Sequence, residues 1–140
     1  RNERTIALAQ KIGIKNSATK FTKPRTGFDG AIDATNHKSI PNEMVQAVEP
    51  GGRVVYIGIS GEPSLIDSRD LALKDVTAVG ILSASPGLKG AIEIFARGEV
   101  DPRPLIAATI SLNEVHDVFM GKRPAGAGDG PKIHIDPRMK

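Results

Sequence analysis

Apolar residues follow two spacings along the chain. The first is helical. Ile6, Leu8, Ala9 and Ile12 lie at mixed helical intervals in residues 2–12, and Gly13 follows as a C-cap candidate. Ser39 is placed to start a helix with apolar positions Ile40, Met44, Val45 and Val48, stopped by Pro50-Gly51-Gly52. Pro86 suits a first helical turn. Leu88, Ala91, Ile92, Phe95 and Ala96 then form one stripe up to Gly98.

The second spacing is a continuous run. Residues 28–35 (FDGAIDAT), 53–59 (RVVYIGI) and 76–82 (VTAVGIL) are rich in β-branched and aromatic residues without strict alternation. Strands buried on both faces, as in a parallel sheet, read this way. Weaker signals predict a strand at 17–21, a turn of helix at 68–73, a strand at 109–112, a helix at 114–120 and a strand at 132–136. The stretch 121–131 (GKRPAGAGDGP) is a flexible loop by composition. No internal repeat is present.

Strands alternating with short helices predict βαβ units and a parallel sheet. Ligands of such sheets gather at the carboxyl ends of the strands. That singles out 34–37, 58–62 and 82–86. The glycines of 49–63 (EPGGRVVYIGISGEP) fit that placement better than they fit a phosphate loop. Gly51-Gly52 serve to end a helix, and Gly58 sits at a strand end.

Composition narrows the classes. The 140 residues suit one domain, with 39% apolar and 25% charged residues. The chain has no cysteine, which excludes disulfides, a cysteine nucleophile and thiolate zinc sites within it, and fits a cytoplasmic location. It has no Trp and few aromatics, so base-stacking platforms are not expected. No apolar run approaches a membrane span, and no membrane partner is expected. The opening Arg1-Asn2-Glu3-Arg4 carries neither an initiator Met nor a signal pattern, so the chain reads as a piece of a longer one. Residues 1–25 hold seven cations against Glu3 alone. A basic lead of this kind can bind nucleic acid or an anionic cofactor, and a solvated helix face is the favoured reading.

The ordered series FDGAIDAT, EPGGRVVYIGI, KDVTAVGIL, GLKGAIEIFARGEVDPRPLIAATISLNEVHDVF and PKIHIDP resembles the C-terminal half of the zinc-type alcohol dehydrogenases, in the medium-chain dehydrogenase/reductase family. The opening RNERTIALAQKIG is similar to the helix after that family's second nucleotide-binding strand. The resemblance implies an α/β fold: a partial Rossmann-like, doubly wound parallel sheet lacking its first βα unit, plus a short segment of the catalytic domain. Residues 1–106 would belong to the NAD(P)-binding domain and 107–140 would return to the catalytic domain. The family's G-x-G-x-x-G turn, the acidic residue of its second strand and its zinc ligands have no counterpart here, so the 140 residues alone are expected to be inactive.

The resemblance also implies contacts to NAD or NADP. The nicotinamide would meet Ala34 and Thr35; Ile57, Gly58 and Ile59; and Ile81, Leu82 and Ser83. A missing side chain at Gly58 would let the ring approach. Arg4 would reach the adenosine ribose, where Arg1 would favour a 2′-phosphate, and Lys132 would face the pyrophosphate. Strand 76–82 would pair with its copy in a homodimer. His37, His116 and His134 share no metal-ligand spacing, so metal ligands and catalytic residues in this chain are expected to be none. Ser60, Ser83 and Ser85 lack a hydrolase motif. Two readings follow: a piece of an oxidoreductase that moves hydride between a small alcohol or carbonyl substrate and nicotinamide, or a non-catalytic nucleotide-binding or assembly module on the same scaffold. Binding of nucleic acid through the basic lead is a third, weaker reading.

Overall fold

A computed structural model describes residues 3–23, 25–83 and 85–140; the side chain of Ser85 is not described. The element order is α1 (Glu3–Lys11), β1 (Phe28–Asp33), α2 (Ile40–Ala47), β2 (Val48–Tyr56), α3 (Ser68–Leu73), β3 (Thr77–Gly80), α4 (Leu88–Ala96), β4 (Ile106–Ile110), α5 (Val115–Phe119) and β5 (Lys132–Ile135). Short 3-10 turns precede α4, β4 and α5.

The chain forms two compact units, Thr22–Gly87 and the described part of residues 1–21 together with Leu88–Lys140. These units follow packing. The expected division at 106/107 concerns which part serves the cofactor, and it falls on the first residue of β4.

In the 22–87 unit, β1, β2 and β3 form a parallel sheet in that order. Asp33 pairs with Tyr56, and Tyr56 pairs with Gly80, so all three strands end in one row. Helix α2 packs on β1 and β2. Ile40, Val45, Ala47, Val48 and Val54 are buried there and make the core of the unit. The opposite face is open. Ile32, Val55 and Val79 form one cross-strand row, and Ile32 is 68% exposed. The expectation of a sheet buried on both faces is therefore met on the α2 face only.

Helix α2 ends one residue earlier than the pattern suggests. Val48 is already extended, with φ −80° and ψ 152°, because its buried side chain belongs to the sheet, paired with Phe28. Pro50-Gly51-Gly52 thus lies inside β2 rather than ending a helix. The register jumps between Phe28↔Val48 and Gly30↔Arg53, so 49–52 forms an excursion. Gly51 adopts φ +78°, a region that glycine enters without penalty, and its N–H donates to the Lys74 carbonyl at 2.7 Å. The Lys74 ammonium donates to the carbonyls of Val45 (2.9 Å) and Gln46 (3.3 Å), satisfying acceptors that the C-terminus of α2 leaves open.

In the second unit, β4 and β5 pair in parallel, with an irregularity between Ile106 and Ala108. Ser111 and Glu114 form a reciprocal capping box at the turn into α5. Ile110 and Ser111 are buried. The expected stripe of α4 is exposed, with Leu88 62%, Ile92 57% and Phe95 49% accessible, while Ala91 and Ile94 are half-buried. Among the described residues of its own unit, nothing covers Leu88, Ile92 and Phe95.

Residues 17–21 form no strand; all are exposed except half-buried Ser17. The strand expected at 76–82 is shorter, Thr77–Gly80, and the one expected at 109–112 begins earlier, at Ile106. Helix 68–73 has the expected bounds. The predicted start of α1 at Asn2 lies outside the described residues.

Candidate functional site

The common ending of β1, β2 and β3 brings three of the predicted segments together. Ala34 and Thr35 follow Asp33; Ile57, Gly58 and Ile59 follow Tyr56; Ile81, Leu82 and Ser83 follow Gly80. Local hydrogen bonds hold the edge. The Asp33 carbonyl accepts from the amides of both Ile57 and Gly58 at 2.9 Å, and Ile81 N–H donates to the Tyr56 carbonyl at 2.9 Å. Among the described residues, the amides of Ile59, Leu82 and Ser83 have no recorded hydrogen-bond partner. Ile57, Ile59 and Leu82 are 48%, 70% and 85% exposed. The edge therefore offers free backbone donors beside an apolar lip, a combination suited to a planar amide-bearing ring.

Glycine at position 58 has a steric reason within the fold. A Cβ there would fall within van der Waals contact of the Thr35 backbone nitrogen, carbon and oxygen. The missing side chain makes room for the close approach of the β1 and β2 ends. Gly58 remains at the edge through its backbone.

Below this edge lies a cavity of ≈ 160 Å³ on the α2 side, reached by Asp33, Thr35, His37, Tyr56 and Ser60. Asp33 is 3% exposed, and its Oδ1 accepts from Thr35 N–H at 2.8 Å, a turn that ends β1. The Tyr56 hydroxyl donates to the Pro41 carbonyl at 2.9 Å. Burial, and then the Asp33 charge, push the Tyr56 phenol above its ordinary pKa. His37 Nδ1 accepts from Ser39 N–H at 3.3 Å, just before α2. The sequence reading overlooked Asp33 and Tyr56. The Asp-x-Thr pattern at the end of a predicted strand was the available signal.

Arg4 and Lys132 belong to the other unit. The Arg4 guanidinium pairs with Asp129 at 2.6 Å, with both side chains exposed, and Lys132 opens β5 three residues further on. Arg1 lies outside the described residues, as does Ala84 of the segment 82–86. His116 lies on α5, and His134 is exposed on β5. Among the described residues no group of three His, Cys, Asp or Glu is placed to hold a metal, and no helix is long and apolar enough to cross a membrane.

The profile of the family described as zinc-binding dehydrogenase matches residues 2–97, more than half of the chain. The chain belongs to this zinc-binding dehydrogenase family. It is 29% identical over 110 residues to the starvation-sensing protein RspB of Escherichia coli (strain K12), covering 76% of this chain and 32% of that protein. Among solved structures, the alcohol dehydrogenase rspB of E. coli CFT073, complexed with its cofactor NADH, superposes with a TM-score of 0.73 at 25% identity, over 86% of this chain and 38% of that one. A putative zinc-binding dehydrogenase of Sinorhizobium meliloti 1021 bound to NADP gives a TM-score of 0.66 at 26% identity, over 79% and 32%. The fold is thus the parallel α/β fold of these dehydrogenases, and the chain spans 32% of the length of its RspB relative.

Proposed function

We propose that this chain is part of a zinc-type, NAD(P)-dependent alcohol dehydrogenase and supplies the nicotinamide edge of its cofactor site. The observation that carries the reading is the row Asp33–Tyr56–Gly80, which sets 34–35, 57–59 and 81–83 side by side with unpartnered amides at Ile59, Leu82 and Ser83. The relatives solved with NADH and NADP support it. Backbone groups at this edge would orient the carboxamide and present one face of the ring to an alcohol carbon for hydride transfer. The metal in such enzymes polarises the alcohol oxygen, and its ligands would come from outside this chain.

Arg4 would serve the adenosine ribose and Lys132 the pyrophosphate, with 1–106 as the cofactor-binding part and 107–140 as the return to the catalytic domain. The free edge of β3 supports a homodimer through Val76–Leu82, and its four residues are all exposed. A reducing cytosol with its NAD(P)(H) pool is the proposed compartment.

The longer protein that contains this chain, supplied with zinc and NAD⁺ or NADP⁺, should reduce the cofactor with at least one alcohol of a broad panel. Absence of turnover with every alcohol contradicts the reading. That the chain spans 32% of the length of its RspB relative supports a second reading for the 140 residues alone, a module without catalysis. Calorimetric titration of the isolated chain should then give weak or no NAD binding, and tight binding would refute this.

A further inference from the structure

Arg4, proposed to serve the adenosine ribose, has a partner within its own unit. Its Nη2 donates to Asp129 Oδ1 at 2.6 Å, across 125 positions of sequence. The two side chains are 60% and 75% exposed. An exposed pair of this kind contributes little to stability, so holding the fold does not explain it. Backbone packing nevertheless sets the two groups against each other. Helix α1, which carries Arg4, packs on the 3-10 turn Arg103–Leu105. Gly130 lies on the Leu105 backbone of the same turn, with no room for a Cβ. Gly128 N–H donates to the Ala107 carbonyl at 2.8 Å, and the Arg123 guanidinium donates to the Gly128 carbonyl. The chain is thus tied down on both sides of Asp129, and its carboxylate is presented to Arg4. Among the described residues, no other acid pairs with Arg4 and no other cation with Asp129.

The pair decides what a dinucleotide meets at this corner. A guanidinium only donates hydrogen bonds, and a carboxylate only accepts them. Ribose hydroxyls do both, so the free ribose of NAD can accept from Arg4 and donate to Asp129. A 2′-phosphate carries about −1.5 to −2 at pH 7 and offers acceptors alone. It would find the Arg4 charge already engaged and a like charge beside it. Lys132, three residues further on, is proposed to face the pyrophosphate, which NAD and NADP share, so it does not discriminate between them.

We infer that Asp129 selects the cofactor: by engaging Arg4 it admits the free ribose of NAD and excludes the 2′-phosphate of NADP. The inference rests on the reading of Arg4 as the residue that serves the adenosine ribose. Its sign is opposite to the preference expected from Arg1, which lies outside the described residues.

The longer protein that contains this chain should bind NAD⁺ more tightly than NADP⁺ in calorimetric titration. Asp129→Asn keeps an acceptor for Arg4 but removes the charge. It should raise the affinity for NADP⁺ relative to NAD⁺ about tenfold, the gain of one hydrogen bond to a charged group. Adding Arg4→Gln to Asp129→Asn should abolish that gain, because the released guanidinium is what the phosphate uses. A merely structural role of Asp129 would lower both affinities together and leave their ratio unchanged. An unchanged ratio in Asp129→Asn, a gain that survives Arg4→Gln, or tighter binding of NADP⁺ by the unaltered protein overturns the inference and leaves the dehydrogenase reading standing. Binding of neither dinucleotide overturns both.

Discussion

The two parallel sheets of this chain are built alike and stabilised differently. In the 22–87 unit, an eight-residue helix lies on the sheet and buries Val45, Val48 and Val54 to 1% exposure or less. In the second unit, β4 and β5 are joined through the five-residue α5 and a glycine-rich loop, and Ile110 is the one buried apolar residue among those described. A helix of two turns can lay an apolar stripe across two strands; a five-residue one cannot. Both sheets nevertheless use the same local device. Gly58 meets the Thr35 backbone and Gly130 meets the Leu105 backbone so closely that neither position has room for a Cβ. Close backbone approach is therefore independent of how well a unit is packed.

The largest effect should come from Gly58→Ala. Its methyl would collide with backbone, which cannot swing aside, and urea unfolding followed by Tyr56 emission should show a loss of about 3 kcal/mol. Gly130→Ala should leave that Tyr56-reported transition in place and shift only the signal of the second unit, read by amide exchange of β4 and β5. A shift of the Tyr56 transition by Gly130→Ala would break the comparison. Gly61→Ala, with open space around it, is the neutral control.

Core truncation sharpens the same contrast. Val54→Ala should cost about 2 kcal/mol in urea unfolding, because the side chain is fully enclosed. Ile135→Ala on β5, already 49% exposed, should cost well under half as much despite removing more carbon. Similar losses at the two sites would mean that the second unit hides its core elsewhere.

Caps come next. Lys74→Met removes the donors to the last carbonyls of α2 and should cost about 1 kcal/mol in the 22–87 unit. Ser111→Ala breaks the capping box before α5 and should cost about 1 kcal/mol in the other. Each should move only its own unit.

The smallest effect is electrostatic. Asp67 lies beside the Arg69 guanidinium, whose side chain and backbone N–H both donate to it, and its carboxyl is held at about 2. A lowered value means that the pair favours the folded state above the ordinary carboxylate range, and that this preference fades as pH falls toward 2. The pair lies at the surface, with the Arg69 side chain exposed, so the consequence for stability is slight. A carboxyl ¹³C titration should place the Asp67 midpoint near 2, and Arg69→Ala should raise it toward the usual value. An unchanged midpoint would show that the pair does not persist in solution. The same Asp-x-Arg geometry recurs at Asp101–Arg103 and Asp136–Arg138 in the second unit, where both carboxyls are also lowered. Local pairing of this kind ignores the difference between the units.

Much of this architecture is written in short-range pattern. The βαβ alternation, the bounds of Ser68–Leu73, the strand from Phe28 and the ordered motifs of the dehydrogenase family all depend on residues within one element or on their order. Those were legible, and so was the gathering of the three strand ends at one edge, which follows from parallel strands alone, while the particular positions 34–35, 57–59 and 81–83 were implied by the resemblance. What the tertiary structure decided concerns pairs distant in sequence. Val48 leaves the helix because Phe28 draws it into the sheet, residues 17–21 remain irregular, and Gly58 is a glycine because Thr35 crosses it. Asp33 comes to line a cavity only when Tyr56 is brought beside it, its hydroxyl donating to the Pro41 carbonyl. Periodicity records which face of an element is apolar; it carries no record of what finally lies against that face. That is settled by register and by backbone approach between strands.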